Sequence, residues 1–317
     1  MFGKHVVVDM INRSAENEAD RRNFLRKAGL AGLGVVGATT LGGAGGLSAS
    51  AAPSTAATGG PSDGAILNFA LNLEYLEAEF YLHAYYGWGV PSALTDGKGT
   101  RGGVTGGRKV DFRSRAIAQY AREIAEDELN HVAFLRKALG SAGVARPKID
   151  LKASFTSAAR AAGLINSNQT FDPFANENNF LLAAFIFEDV GVTAYKGAAP
   201  LIDNKGYLDA AAGILAVEAY HAGIIRTSLY AKGLYSAVQK ISNARDSLDG
   251  KSDLDRGVGR KRRGNLVPAD RNSLVYSRTP GQVLNIVYLN PASVSKGGFF
   301  PAGLNGEVKT SADNTRS

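Results

Sequence analysis

Cysteine is absent from all 317 residues. Its absence rules out disulfides, thiolate metal sites and cysteine nucleophiles together, so any bound metal must be held by oxygen and imidazole. Methionine is nearly missing too: Met1 and Met10 are the only two, both close to the N-terminus. Histidine occurs four times, as His5, His83, His131 and His221, which makes each position informative. A strong charge of one sign is lacking as well. A net +7 with 21% charged residues is too mild to imply a nucleic acid partner. What remains, at 44% apolar residues, is enough to bury a sizeable core.

The N-terminus has the order of an export signal. Arg21-Arg22-Asn23-Phe24-Leu25-Arg26-Lys27 precedes an uncharged run from Ala28 to Leu47, and Ala49-Ser50-Ala51 offers a small-residue cleavage site. Eight glycines in that run make it a poor membrane anchor. Residues 1–51 therefore read as a twin-arginine signal, which places the mature protein in the periplasm or cell envelope with no spanning segment after cleavage. The signal carries six basic and four acidic residues, so its removal lowers the charge from +7 to +5 and takes both methionines and His5 with it.

The mature chain is organised around Glu128-Leu129-Asn130-His131 and its echo Glu218-Ala219-Tyr220-His221. A Glu and a His three apart on a helix share one face and reach a common point. The flanks repeat without a gap: Glu128, His131, Arg136 and Leu139 fall on Glu218, His221, Arg226 and Leu229. A second pair of segments repeats too, with Glu74 and Tyr81 matching Glu188 and Tyr195 at the same seven-residue spacing. The order Glu, Glu-x-x-His, Glu, Glu-x-x-His is the ligand set of a carboxylate-bridged di-metal site in a four-helix bundle.

The rest of the chain fits an all-α reading. Residues 52–62 are a linker, and Asp63 is placed to cap a first helix reaching about Tyr86. A Gly-rich loop with room to fold over one end of the bundle leads to a second helix, Phe112–Leu139, closed by Gly140. A long crossover with a short helix at Ser154–Ala162 connects to a third helix, Asn176–Ala199, ended by Pro200. The fourth runs from Tyr207 to Lys232. The bundle is assigned to 63–242 and a C-terminal extension to 243–317. Within the extension, 243–273, including the basic Gly259–Gly264 run, reads as a solvated loop. A short helix, Gln282–Leu289, and Phe299-Phe300 should pack back on the bundle.

Four ionised carboxylates on facing inner stripes would cost several kcal/mol each in a dry core. Two divalent cations would cancel them. Glu74 and Glu188 are assigned as terminal ligands, Glu128 and Glu218 as bridges, and His131 and His221 as one imidazole per ion. Glu77, one turn beyond Glu74, competes with it, and the Glu74–Tyr81 spacing repeated in Glu188–Tyr195 favours Glu74. Tyr81 and Tyr195 are read as hydrogen-bond donors or redox-active groups near the metals, with packed aromatics as the alternative. Glu126 and Asp127 fall off the ligand face and read as solvated. His83, about 180° round the helix from Glu74, reads as structural or solvated.

The segments Ile66–Glu77, Phe187–Tyr195, Gln282–Tyr288 and Gly298-Phe299-Phe300-Pro301 resemble the bacterial ferritin-like, desiccation-related family over about residues 61–305. The resemblance implies a ferritin-like bundle, export and an association with drying or oxidative stress. It leaves the reaction open. Two readings follow. One is redox chemistry on peroxide or dioxygen with two manganese or iron ions. The other is a stress-protective or envelope-associated protein whose metal only holds the bundle together. A homo-oligomer is compatible with either.

Export should depend on the arginine pair. Replacing Arg21 and Arg22 by Lys keeps the charge and removes the signal, so precursor should accumulate in the cytoplasm on fractionation. Unchanged export would overturn the twin-arginine reading.

Overall fold

The computed structural model describes residues 60–315, so the signal and most of the linker lie outside it. Four long helices form the core: α1 (Asp63–Tyr86), α2 (Arg115–Leu139), α4 (Glu177–Ala198) and α5 (Lys205–Ala231). Three shorter ones, α3 (Ala153–Ala161), α6 (Tyr235–Asp246) and α7 (Pro280–Val287), complete the described α-helices. The architecture is the expected all-α bundle. Helices α1 and α2 pack as one hairpin and α4 and α5 as the other, with the crossover between them.

Each boundary has a local cause. Ser62, not Asp63, caps α1, accepting from the Ala65 amide at 3.2 Å. Asp63 instead accepts from the amides of Asp203 and Asn204 at 2.8 and 2.9 Å, tying the start of α5 to the start of α1. A side chain that looked like a cap for its own helix is used between helices. Ser114, Asn176 and Asn204 cap α2, α4 and α5 through side-chain oxygens. Thr279 and Gln282 form a reciprocal capping box on α7, with Pro280 in the first turn.

Helices α1 and α4 are buried around nearly their whole circumference, which fits their apolar sequences. Helix α2 buries only the stripe Ile117, Ala121, Ile124, Ala125, Glu128, His131, Val132 and Leu135. Helix α5 is long and apolar enough to cross a bilayer by composition, yet its buried stripe carries Glu218 and His221 into the bundle.

The Gly-rich loop runs along α1 rather than over one end. Tyr75 donates to the Leu94 carbonyl at 2.6 Å. Further on, Lys98 bonds Gly143 beside Asn68, and Val110 returns to the Ala84 carbonyl. On the way, Val104–Thr105 (β1) pairs in parallel with Ile149–Asp150 (β2) of the crossover. Polar backbone that the bundle could not satisfy is satisfied by this pairing.

Phenylalanines gather where the crossover, bundle and extension meet. Phe80 of α1 and Phe155 of α3 have ring centroids 5.5 Å apart, and Phe299 lies 4.9 Å from both Phe155 and Phe187. Phe299 and Phe300 are fully buried, so the extension packs on the bundle as expected. The expected boundary at residue 242 falls inside α6, a helix the sequence reading did not separate.

The 243–273 stretch is only partly the solvated loop it was expected to be. Arg260, Lys261, Arg262 and Arg263 are exposed around the antiparallel ladder of Gly259–Arg260 (β3) and Arg263–Gly264 (β4). Asp249 and Asp255, by contrast, are buried in a network with Asp189, Arg226, Arg245 and Arg278. Arg278 donates to Asp249 at 2.7 Å and to Asp255 at 2.6 Å, and Arg245 bridges Asp255 at 2.5 Å and Asp189 at 2.9 Å. Arg226 reaches Asp189 at 2.7 Å. Three cations meet three anions, and local composition could not show that partners this distant in sequence would neutralise one another. At Gly197 a Cβ would lie 1.9 Å from the Arg278 carbonyl oxygen, so glycine lets this segment of the extension cross α4.

Arg278→Ala should therefore destabilise the fold by about 3–5 kcal/mol, because it strands the buried Asp249 and leaves Asp255 with Arg245 alone. Arg263→Ala, on the exposed ladder, should change stability by less than about 0.5 kcal/mol. Chemical denaturation of the two variants checks both values.

Candidate metal centre

The six predicted ligands converge. Helix α1 supplies Glu74, α2 supplies Glu128 and His131, α4 supplies Glu188, and α5 supplies Glu218 and His221; all are buried. His131 Nδ1 lies 3.1 Å from Glu74 Oε2, 3.4 Å from Glu128 Oε2 and 3.5 Å from Glu218 Oε1. His221 Nδ1 lies 3.0 Å from Glu128 Oε1 and 3.7 Å from Glu188 Oε2. The ring centroids are 6.4 Å apart, with Glu128 reaching both imidazoles.

Two sets of ligand atoms, Glu74–Glu128–His131–Glu218 and Glu128–Glu188–His221, each fall within 4.8 Å of one another. Both oxygens of Glu128, both of Glu218, Oε2 of Glu188 and Nδ1 of His221 are buried without a well-formed hydrogen bond. Buried acceptors left open in this way are costly unless a cation meets them. The donor set of carboxylate oxygens and imidazole nitrogens fits manganese or iron. The residues therefore fit a metal centre.

Around these ligands the helices exchange partners. Tyr81 on α1 donates to Glu188 on α4, and Tyr195 on α4 donates to Glu74 on α1. Both tyrosines are buried, and burial together with the facing carboxylate holds each phenol well above its usual range and so protonated. Each is a fixed donor to a carboxylate of the cluster, not a packed ring alone.

Two further residues belong to the neighbourhood. Asp127, expected to be solvated, accepts from His221 Nε2 at 3.0 Å. That bond turns Nδ1 toward the cluster, the usual arrangement by which a carboxylate orients a metal-binding imidazole. Asp127 lies off its own helix's ligand face because its partner is on α5, and no spacing within α2 could reveal that. Glu77 is the second. Both Glu74 and Glu77 point inward, so the choice between them does not arise: Glu77 is buried among Glu128, Glu188 and Glu74. Glu126 is half-exposed and accepts from Tyr86 at 2.7 Å. His83 stays outside the centre, 3.5 Å from Glu79, which pairs with Arg146.

Burial raises Glu74 to about 7 and Glu188 to about 8, with the nearby Glu128 charge adding to it. It has the same effect on Glu77 and Glu218, which sit well above the usual carboxylate range. Burial would also raise Glu128, but the adjacent His131 and His221 imidazoles overcome it and hold this carboxyl well below that range. For the imidazoles burial favours the neutral form, yet Glu74 and Glu128 raise His131 to about 11, and Glu188, Asp127 and Glu128 raise His221 to about 10. Without metal, the cluster is thus held together by protons.

The sign of the pH dependence follows. Glu74 and Glu188 bind protons more tightly folded than unfolded, so their contribution weakens as pH rises from about 5 through 8. The raised histidines act in the same direction, their stabilisation being complete below 6.5 and lost through about 10 to 11. Metal-free protein should therefore lose thermal stability between pH 5 and 9. Added manganese should stabilise it increasingly over the same range, because ions and protons compete for these groups. Calorimetry with and without chelator checks this; a chelated protein that gains stability from pH 5 to 8 would contradict it.

Comparison with known proteins agrees with this geometry. A ferritin-like domain model matches residues 62–231, which span the four core helices. The chain is 34% identical over 268 residues to the desiccation-related protein PCC13-62 of Craterostigma plantagineum, covering 78% of this chain and 84% of the relative. It is 28% identical over 265 residues to the ferritin-like catalase Nec2 of Nesocodon mauritianus, covering 77% and 83%. No solved structure matches. By the matched bundle and the extent of these identities, the chain belongs to the ferritin-like, desiccation-related family.

Proposed function

We propose that the protein is an exported di-metal carboxylate protein that carries out redox chemistry on peroxide or dioxygen during oxidative or drying stress. The observation that carries this reading is the pair of ligand sets sharing Glu128, whose buried oxygens await cations. Glu74, Glu128, Glu188, Glu218, His131 and His221 would hold two ions, manganese or iron. Bound there, the two ions would supply a two-electron change to a small oxidant.

The chain's own residues do the rest. Tyr81 and Tyr195 hold the terminal carboxylates from across the bundle, and Asp127 orients His221. The apolar faces of α1 and α4 exclude water and bulky reductants, since every carboxylate of the cluster is at most 5% exposed. A centre so enclosed selects molecules of the size of peroxide or dioxygen. The relative described as a ferritin-like catalase supports peroxide as the substrate. Export rests on Arg21 and Arg22, and the twin-arginine route carries folded proteins, so metal would be loaded before secretion.

A second reading, stress protection with a metal that only holds the bundle together, draws on the relative described as desiccation-related and on the near-complete burial of the cluster. Metal content and peroxide turnover separate the two. Manganese- or iron-loaded protein should hold about two ions per chain, as a paired carboxylate site requires. It should evolve oxygen from peroxide. Glu188→Ala should abolish turnover with helicity intact, and Tyr81→Phe should lower it about 10- to 100-fold through misorientation of Glu188. A loaded, folded protein no faster than free metal would leave the structural reading standing.

A further inference from the structure

The two halves of the bundle repeat closely, and the place where the repeat fails lies inside the centre. The alignment that sets Glu74 on Glu188 and Tyr81 on Tyr195 sets Glu77 on Gly191. Glu77 therefore has no counterpart in the other half. The structure makes that asymmetry physical. A Cβ at Gly191 would lie 2.6 Å from Glu218 Oε2 and 3.4 Å from Glu77 Oε1, so the missing side chain opens the space into which both carboxylates converge. On its other side Glu77 borders a cavity of about 20 Å³ walled by Leu73, Leu76, Val190 and Phe299. Those walls offer a carboxylate no hydrogen-bond donor.

We propose that Glu77 is a fifth carboxylate of the metal centre, and that its charge biases the bound metals toward their higher oxidation state. The inference rests on the di-metal reading and extends it. Once bound cations displace the protons that hold the empty cluster, Glu74, Glu128, Glu188 and Glu218 balance two divalent ions, whereas a fifth ionised carboxylate leaves that pair one negative charge in excess. Balance returns when one ion is trivalent. In a low-dielectric core an unbalanced charge is costly, so the charge of Glu77 stabilises the oxidised centre over the reduced one. Gly191 is the structural counterpart of this arrangement, since any larger residue would displace Glu77 or Glu218.

The test uses the mature protein loaded anaerobically with ferrous iron and titrated with dithionite and ferricyanide. Glu77→Gln keeps the shape and removes the charge; Glu77→Met does so without leaving a buried amide, and serves if Gln fails to fold; Glu77→Asp keeps the charge. The neutral variants should hold two irons like the wild type, while their oxidised-to-reduced ratio at a fixed potential falls at least tenfold. For a one-electron couple that is a rise in midpoint of about 59 mV or more. Glu77→Asp should stay within tenfold of wild type. Two irons with an unchanged midpoint in a folded neutral variant overturns the role of Glu77 alone, as does an Asp variant that shifts as far as Gln. Wild type that binds no iron overturns the metal centre and this inference with it.

Discussion

Five carboxylates and two imidazoles enclosed by apolar helices set the terms for the rest of the molecule. As bare anions, Glu74, Glu77, Glu128, Glu188 and Glu218 would repel one another in a dry core at a cost of several kcal/mol each. The fold contains them in two ways. Imidazolium and phenol groups hold some of them, with His131 and His221 around Glu128, and Tyr81 and Tyr195 on Glu188 and Glu74. The oxygens left open on Glu128, Glu188 and Glu218 face inward where cations fit. A core that only packed would have no use for such groups. Their placement on the buried faces of all four core helices is what a metal centre requires.

Bracing of the site extends beyond the bundle. Asp189, next to Glu188, is gripped by Arg226 and Arg245, and Arg245 continues through Asp255 to Arg278. This neutral, buried network ties α4 to α5, α6 and the C-terminal extension, so the backbone bearing Glu188 is braced from behind. The phenylalanine cluster does the same for α1: Phe80 packs against Tyr81 at 5.0 Å and against Phe155, which in turn meets Phe299. The extension is thus part of the support of the centre: a bundle cut at residue 231 would keep Arg226 on Asp189 and Phe155 on Phe80 but lose Arg245, Asp255, Arg278 and Phe299 behind them.

The internal repeat has kept its ligands and diverged around them. Arg136 and Arg226 occupy equivalent positions, yet Arg136 holds the Gly-rich loop through Tyr75 and Asp96 while Arg226 enters the buried network. Likewise Asp127 orients His221 from α2, while the position matching it on α5 is Val217, which has no acid to offer. The metal-facing stripe is constrained by chemistry in both halves. The outer faces answer to different neighbours, and so they differ.

The sequence alone determined the four core helices, the two Glu-x-x-His pairs and the repeated Glu–Tyr spacing, and through them the six candidate ligands and the family. These are legible because a helix has a fixed period: residues three, four or seven apart share a face whatever surrounds them. The cysteine-free composition restricted the donors to oxygen and nitrogen in the same direct way. What only the tertiary structure decided is every relation between helices. Tyr81 serves the glutamate of the opposite half, Asp127 reaches α5, Glu77 turns inward beside Glu74, and Asp249 and Asp255 leave an apparently solvated stretch to meet buried arginines. Apart from Glu77, one turn from Glu74, none of these has a spacing to read. Each depends on which faces the packed bundle brings together, and a charged residue's partner, unlike its period, lies far away along the chain.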